Sequence, residues 1–339
     1  MTIPDTPGRL NRRSALAAMT TATLAGCGSS NPNPRVPAKD EPLVVQLNWF
    51  PEAEHGGVYQ AQAEGRYRRN GLTVDIRPGG TDTPIGAELQ LGRCHFAIVN
   101  ADDVVQFRRA GVDAVAVAAV VQNSPRCILV REDAPAETIN DLAGMTLQCQ
   151  PGRAFVRWMR HEGLLDDVRT VPYLGTVAPL ATDPRMAIQA YRFSEPFQAE
   201  QAEIPVRWMM VSETGWNPYS SVLVTTGELI RERPEDVTRF TAATLEGWRS
   251  YLVDPSSGNE RILAANRHGL TADALQYGHQ PLRNLAYPDG AKPESLGDLN
   301  PDRWRTLVEQ MDTIDPDQAG KVDASDCFLA DDAAAGTAA

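Results

Sequence analysis

The sequence predicts an α/β protein of two lobes, each a mostly parallel sheet flanked by helices, joined by a hinge of two crossing strands. Three observations carry this expectation. Residues 43–121 alternate short apolar runs with amphipathic stretches in the order β-α-β-α-β-α-β, the pattern of a parallel sheet covered by helices. After an apolar run at residues 127–130 the alternation restarts, and it ends on a last strand-like run, SVLVT, at residues 221–225. The four long stretches beyond it carry helical spacing. One β/α unit inserted in another gives two crossings, near residues 124–131 and 217–225. Residues 43–128 and 222–339 then form the first lobe, and residues 129–221 the second.

Each element has its own signals. Residues 43–47 (LVVQL) read as the first strand. Residues 53–67 read as one helix, closed by Asn70 and Gly71, with glycine as the stop. Residues 72–76 form the next strand. Thr83 and Pro84 open a helix, Thr as cap and Pro in the first turn, and Gly92 ends it. Residues 95–99, 102–109 and 112–121 follow as strand, helix and strand. In the inserted unit, strands are expected at 145–149, 168–173, 188–193 and 206–211, with helices at 152–161 and 195–201. Helices at 234–252, 257–267, 272–285 and 301–312 complete the chain. Two crossings make a hinge, and a cleft between hinged lobes closes around a ligand. Strand ends on both lobes aim their loops at that cleft, where open α/β sheets place ligands.

Composition narrows the function. The chain has 339 residues, 42% of them hydrophobic and 22% charged, enough for two ordinary globular domains. Its net charge of -12 argues against a nucleic-acid partner, which needs a basic footprint. Residues 1–26 have the layout of a signal peptide. Arg9, Arg12 and Arg13 make a positive start, and residues 14–24 are a short, mostly apolar stretch, too short to span a bilayer as a helix. Leu24-Ala25-Gly26-Cys27 matches the bacterial lipobox, which makes Cys27 the expected lipidation site. The Arg12-Arg13 pair also suits a twin-arginine signal, so the export route stays open. Residues 27–42, rich in Gly, Ser, Asn and Pro, read as a flexible tether. Cys94, Cys127 and Cys149 sit in apolar strand-like runs and are expected as buried thiols. An exported protein allows a pair among its cysteines, and spacing does not choose one.

Residues 47–76, LNWFPEAEHGGVYQAQAEGRYRRNGLTVDI, carry a family resemblance. They resemble the opening of the periplasmic binding proteins for nitrate, sulfonates and thiamine-precursor pyrimidines, the family that includes the fungal thiamine-pyrimidine synthase. Trp49, Pro51, Glu54, His55 and Gly56 match the layout of the pyrimidine-binding branch, except that Gly56 follows His55 directly. Residues 100–112 (NADDVVQFRRAGV) and 141–147 (DLAGMTL) resemble further family segments. The resemblance covers about residues 43–285 and implies a type II periplasmic binding protein fold. It implies a small-molecule ligand, an ABC importer permease as partner, and a location in the periplasm or at the cell surface.

Candidate ligand contacts follow from strand ends. Trp49 and Phe50 follow the first strand, where an aromatic face stacks on a planar ring, and His55 opens the first helix. Gly80 and Thr81 lie in a Gly-rich loop leading to a helix start, whose amides favour acceptors. Asn100 holds the same place after the next strand. In the second lobe, Gln150 and Tyr173 follow strands, Tyr191 ends one, and Glu195 stands at the following helix start, poised to accept from an exocyclic amine. Asn217 lies at the second crossing, a hinge position as much as a pocket one.

The expected molecule is a receptor, not an enzyme. The resembling synthase chemistry needs a lysine Schiff base, and no lysine lies between Lys39 and Lys292. The five histidines are scattered, and no catalytic or metal-binding motif stands out, so neither a cofactor nor a metal is expected. The reading is a monomeric, lipid-anchored solute-binding protein for a small planar heterocycle such as a thiamine-precursor pyrimidine. An alkanesulfonate, nitrate or other small anion is the alternative ligand, kept open by Arg153 and Arg192. A lipoprotein that senses a ligand for another membrane partner is a third reading.

Overall fold

The structure, a computed structural model, describes residues 36–39, 41–288 and 291–330. The expected signal peptide, the lipidation site Cys27 and most of the tether fall outside the described residues. The chain is held to the domain at residues 37 and 38: Pro37 is buried, and Arg233 donates to the carbonyls of Pro37 at 2.8 Å and Ala38 at 3.0 Å.

The first sheet begins with β1 (Leu43–Gln46), and a 3-10 turn (Ala53–His55) leads into α1 (Gly56–Ala63) and α2 (Arg66–Arg69). The single helix expected over residues 53–67 is thus broken. Gly65 at φ 69° takes the left-handed conformation between α1 and α2 and ends the hydrogen-bond ladder. There follow β2 (Val74–Arg77), α3 (Ile85–Gln90), β3 (Phe96–Val99), α4 (Ala101–Arg109) and β4 (Ala114–Val121). Thr83 does not cap α3. Its hydroxyl accepts instead from Gly80 N at 2.8 Å, inside the preceding loop.

The second sheet takes β5 (Arg126–Arg131), β6 (Thr146–Cys149), α5 (Ala154–His161), β7 (Arg169–Pro172), α6 (Pro179–Thr182), β8 (Met186–Tyr191), α7 (Glu195–Gln201) and β9 (Val206–Met210). The chain returns to the first sheet as β10 (Ser220–Thr226). Helices α8 (Gly227–Glu232), α9 (Pro234–Tyr251), α10 (Ser256–Ala265), α11 (Ala272–Ala286) and α12 (Pro301–Ile314) follow.

The strand orders are β2-β1-β3-β10-β4 and β7-β6-β8-β5-β9. In each sheet one strand runs against the other four, and it is the crossing strand, β10 in the first and β5 in the second. A strand that enters from the opposite lobe without an intervening helix starts at the cleft, where its antiparallel neighbours end. Ser220 accordingly pairs with Val121, and Arg126 with Tyr191, at the cleft edges of the two sheets.

The crossings are tied to each other. Ser124 N donates to Asn217 Oδ1 at 2.8 Å, and Asn217 Nδ2 donates to Asn123 Oδ1 at 3.1 Å. Arg303, from α12, stacks on the Tyr219 ring at 3.9 Å and donates to the carbonyls of Asn217 and Gln122. Cys94, Cys127, Cys149 and Cys327 are buried free thiols.

Candidate functional site

The floor of the cleft is the turn between β1 and α1. Glu52 N donates to Nδ1 of His55 at 3.3 Å, so the proton resides on Nε2, which donates to Asn48 Oδ1 at 2.8 Å. His55 is fully buried, and loss of water drives its pKa down to about 3. Its approach to Glu54, 3.4 Å, is therefore a contact with a neutral ring and not an ion pair. Glu54 is 1% exposed, and its Oε2 has no hydrogen-bond partner among the described residues. Leaving a buried acceptor unmatched costs about 1–3 kcal/mol. The Glu54 carbonyl accepts from the Ser221 hydroxyl at 2.9 Å. Ser221 itself sits at φ 46°, a left-handed conformation that costs a non-glycine residue about 1–2 kcal/mol. That strain lies where β10 leaves the cleft, as strain at working sites often does.

Beside this turn, Trp49 and Phe50 meet edge to face with ring centroids 5.2 Å apart. Phe50 also lies against His268, at 3.7 Å, and over Gly80, where a Cβ would stand 3.2 Å from the ring. At Gly79 a Cβ would come within 2.2 Å of the Leu47 carbonyl oxygen, so this close approach requires glycine. Thr81 is exposed and bonds only to Asp82 among the described residues.

The second lobe presents the end of β8. Both oxygens of Glu195 are held, Oε2 by Tyr191 N at 2.7 Å and Oε1 by the Tyr173 hydroxyl at 3.0 Å. The Tyr191 hydroxyl reaches across the cleft to Asn100, whose Nδ2 stands 3.2 Å away, while Ser220 donates to Asn100 Oδ1 at 2.6 Å. Arg126 stacks over the rings of Tyr191 at 4.3 Å and Phe155 at 4.8 Å and donates to the Tyr191 hydroxyl at 3.1 Å. No carboxylate lies within 4 Å of its guanidinium among the described residues. Behind Tyr191 a small cavity is lined by Asn100, Asp102, Arg126, Arg153, Phe155 and Trp216, among others. Glu54 and Glu195 are outside its wall.

Carboxylates from both lobes converge here. Burial, then the charges of Glu54 and Glu195, holds Glu52 well above the usual carboxylate range. Burial likewise raises Glu195, against the opposing pull of its hydrogen bonds and Arg126. Glu54 is pushed up to about 7, chiefly by burial, with Asn48 and Arg126 lowering it and Glu195 and Asp103 raising it. Asp102 rises to about 6 through burial and the neighbouring Asp103, with Arg153 and Arg126 opposing.

The structure brings Asn100, Tyr173, Tyr191 and Glu195 into one bonded chain across the cleft. Trp49, Phe50 and Gly80 form a second group on the first lobe. His55 acts through Asn48 and the Glu52 backbone. Gln150 donates its backbone N–H to Gln189 Oε1 at 2.8 Å, and Asn217 ties the crossings. Arg153 stands in the cleft, whereas Arg192 faces the Tyr277 hydroxyl at 3.0 Å and the Trp208 ring at 3.8 Å. Sequence reasoning missed Arg126, Glu52 and the chemical part of Glu54. Arg126 carried one usable signal, a charge opening an apolar strand right after Pro125. All three lysines, Lys39, Lys292 and Lys321, are exposed, and none is among these groups.

Comparisons with known proteins agree with this architecture. The family described as NMT1/THI5 like matches residues 52–257. Riboflavin-binding protein RibY of Chloroflexus aurantiacus is 24% identical over 252 residues, 71% of each chain. A formylaminopyrimidine-binding protein of Halalkalibacterium halodurans is 30% identical over 108 residues, 32% of either chain. Among solved structures, the periplasmic aliphatic sulphonate binding protein SsuA of Escherichia coli superposes with a TM-score of 0.64 at 15% identity, covering 86% of this chain and 93% of that one. The alkanesulfonate-binding protein SsuA of Xanthomonas axonopodis gives 0.60 at 14% identity, covering 85% and 99%. With more than half its length inside the family domain and two sheets linked by paired crossings, this chain belongs to the NMT1/THI5-like family and has the two-lobed periplasmic binding protein fold.

Proposed function

We propose that this protein is the solute-binding receptor of an ABC importer, and that it captures a small, planar, amine-bearing heterocycle between its lobes. The observation that carries this reading is the convergence of Glu52 and Glu54 from one lobe with Glu195 from the other, beside the ring of Tyr191. Closing three carboxylates toward one another around a single unpaired guanidinium favours a ligand that brings N–H donors or positive charge. A stacked aromatic face supplies the affinity for a planar ring. The two sequence relatives are named for nitrogen heterocycles, riboflavin and formylaminopyrimidine, which supports the same class.

A receptor suits the residues better than an enzyme does. No lysine stands at the cleft to form a Schiff base, and the polar groups there are arranged to hold hydrogen bonds across two lobes. We read the protein as an exported monomer anchored through a lipidated Cys27, with a permease as its membrane partner. Cys27→Ala then yields a protein of unchanged fold that lacks acyl label, and acylation persisting in the variant contradicts the anchor.

One observation favours a second ligand class. Arg126 and Arg153 line one cavity, and Arg126 has no acidic partner within 4 Å among the described residues, an arrangement that suits an acidic ligand group. Thermal-shift and calorimetric titration of the purified protein against aminopyrimidines, alkanesulfonates and nitrate tests both. Micromolar or tighter binding of an aminopyrimidine with no response to the anions is the expected outcome, and the converse pattern overturns the heterocycle reading.

A further inference from the structure

We infer that Glu54 reads the ligand directly, as a protonated carboxylic acid that donates to a ring nitrogen and accepts from the exocyclic amine next to it. The inference rests on the heterocycle reading of the cleft and names the edge of the ring that the protein recognises.

Geometry singles out this side chain. Glu54 is 1% exposed, yet its Oε2 is without a hydrogen-bond partner among the described residues. Its surroundings are fixed from four sides. Asn48 is locked by His55, whose Nε2 donates to Asn48 Oδ1 at 2.8 Å. The Glu54 carbonyl is bound by the hydroxyl of the strained Ser221. From the second lobe come Glu195, Tyr191 and Arg126, and from α4 comes Asp103. Asn48 hydrogen-bonds the Glu54 carboxyl, and the oxygen left over, Oε2, is oriented but unmatched, prepared for a partner that the protein does not itself supply.

The chemistry of the partner follows from the protonation state. Burial and the adjoining carboxylates hold the Glu54 proton up to about pH 7, while the neutral His55 has no charge with which to draw it off. A protonated carboxyl shows one donor beside one acceptor. An amino-azine shows the complement on neighbouring atoms, an acceptor ring nitrogen and a donor amine. The pair holds one proton between carboxyl and ring, wherever along that bond it resides. At a pH above the pKa of both free partners that proton must come from solvent, so binding takes up one proton and weakens about tenfold per pH unit. Glutamine has the same donor–acceptor pattern at every pH, which makes Glu54→Gln a mimic of the acid and Glu54→Ala its removal.

The test is calorimetry on the full chain, with 4-amino-5-hydroxymethyl-2-methylpyrimidine and its analogue lacking the amine as probes, at pH 6.5, 7.5 and 8.5. Wild type is expected to lose about tenfold in affinity over the last step and to take up close to one proton, read from buffers of different ionisation enthalpy. Glu54→Gln is expected to bind within about fivefold of wild type at pH 6.5 and to lose both the alkaline fall and the proton uptake. Glu54→Ala, and wild type with the amine-free analogue, are each expected to bind at least about tenfold more weakly. An alkaline fall that persists in Glu54→Gln, or affinity unchanged in Glu54→Ala, overturns the role of Glu54 while the heterocycle reading stands. Wild type that binds neither pyrimidine at any pH overturns both.

Discussion

Arg153 Nη1 lies 3.0 Å from Asp103 Oδ1, joining the start of α5 in the second lobe to the first turn of α4 in the first. Asp102, the preceding residue, stands 4.0 Å from the same guanidinium. This is a direct charge contact across the cleft edge, and its side chains are less than a third exposed. A partly buried pair of this kind is worth on the order of 1 kcal/mol after solvent screening. Arg153→Ala should shift the unliganded protein toward an open form and weaken any ligand that requires closure by about fivefold. Small-angle scattering gives the first readout and titration the second. A radius of gyration and an affinity both equal to wild type exclude the latch.

The clasp between crossings makes a second prediction. Asn217 gives one oxygen to Ser124 N and takes the Asn123 oxygen with its amide. Alanine at 217 leaves a half-buried N–H and a carbonyl without partners. Loss of these bonds should cost about 1–2 kcal/mol in denaturant unfolding. A midpoint unmoved from wild type shows that water replaces the clasp.

Much of this architecture was legible because it depends on periodicity. The runs at β1, β3 and β4 are apolar on successive residues, as strands covered on both faces must be, and their spacing gave away the insertion of one lobe in the other. The break in the first helix was not legible. Gly65 reads as a tolerated helical glycine until the chain is seen to turn there at φ 69°. At the candidate site, Tyr173, Tyr191, Glu195 and Asn100 were legible as candidates because each lies at or just past the end of a strand. Arg126 was passed over because it opens one, and only the antiparallel course of the crossing strand brings its head to the cleft. Glu54 was visible as part of a motif, but its unmatched oxygen arises from packing that no local pattern encodes.

The glycines after His55 have a packing reason and hence a prediction. A Cβ at Gly57 would fall 2.1 Å from the Trp248 ring, and one at Gly247 would fall 2.3 Å from the Gly57 carbonyl oxygen. The first clash is with a large buried ring and the second with backbone, so neither relaxes cheaply. Gly247→Ala should lower stability by about 2–4 kcal/mol through separation of α1 from α9. Thermal unfolding measures it, and a shift of only a degree or two argues that the helices part without cost.

Stability should fall as pH rises from about 4 toward 7 in the unliganded protein. Asp102 titrates near 6 when folded, above its ordinary value, mainly through burial and then through Asp103. Between the unfolded and folded pKa the native state holds the extra proton, so its contribution is full below the lower value and lost as pH passes the higher one. Glu54, at about 7, extends the same window. Asp102→Asn removes one titrating group, and its melting temperature should drop less than wild type's across this range, by an amount equivalent to roughly 1–2 kcal/mol. Parallel curves for the two proteins would mean that Asp102 keeps its charge at no cost.

Glu195 separates the two ligand classes by sign. Its two oxygens already accept from Tyr191 N and the Tyr173 hydroxyl, and each retains a lone pair for a ligand. In Glu195→Gln the amide oxygen must stay on Tyr191 N, because two donors cannot face each other there. The amide nitrogen therefore takes the Tyr173 side, where the phenol oxygen accepts from it. An acceptor on that side becomes a donor, and one negative charge leaves the cleft. An amine-bearing heterocycle then loses a charge-assisted hydrogen bond, and its affinity should fall about 10- to 100-fold. A sulfonate or nitrate held by Arg126 and Arg153 gains from the same change, because the repelling carboxylate is gone, and its affinity should rise or stay level. Calorimetry of the variant against one ligand of each class decides between them. A heterocycle that binds wild type and variant equally well places its donors away from Glu195.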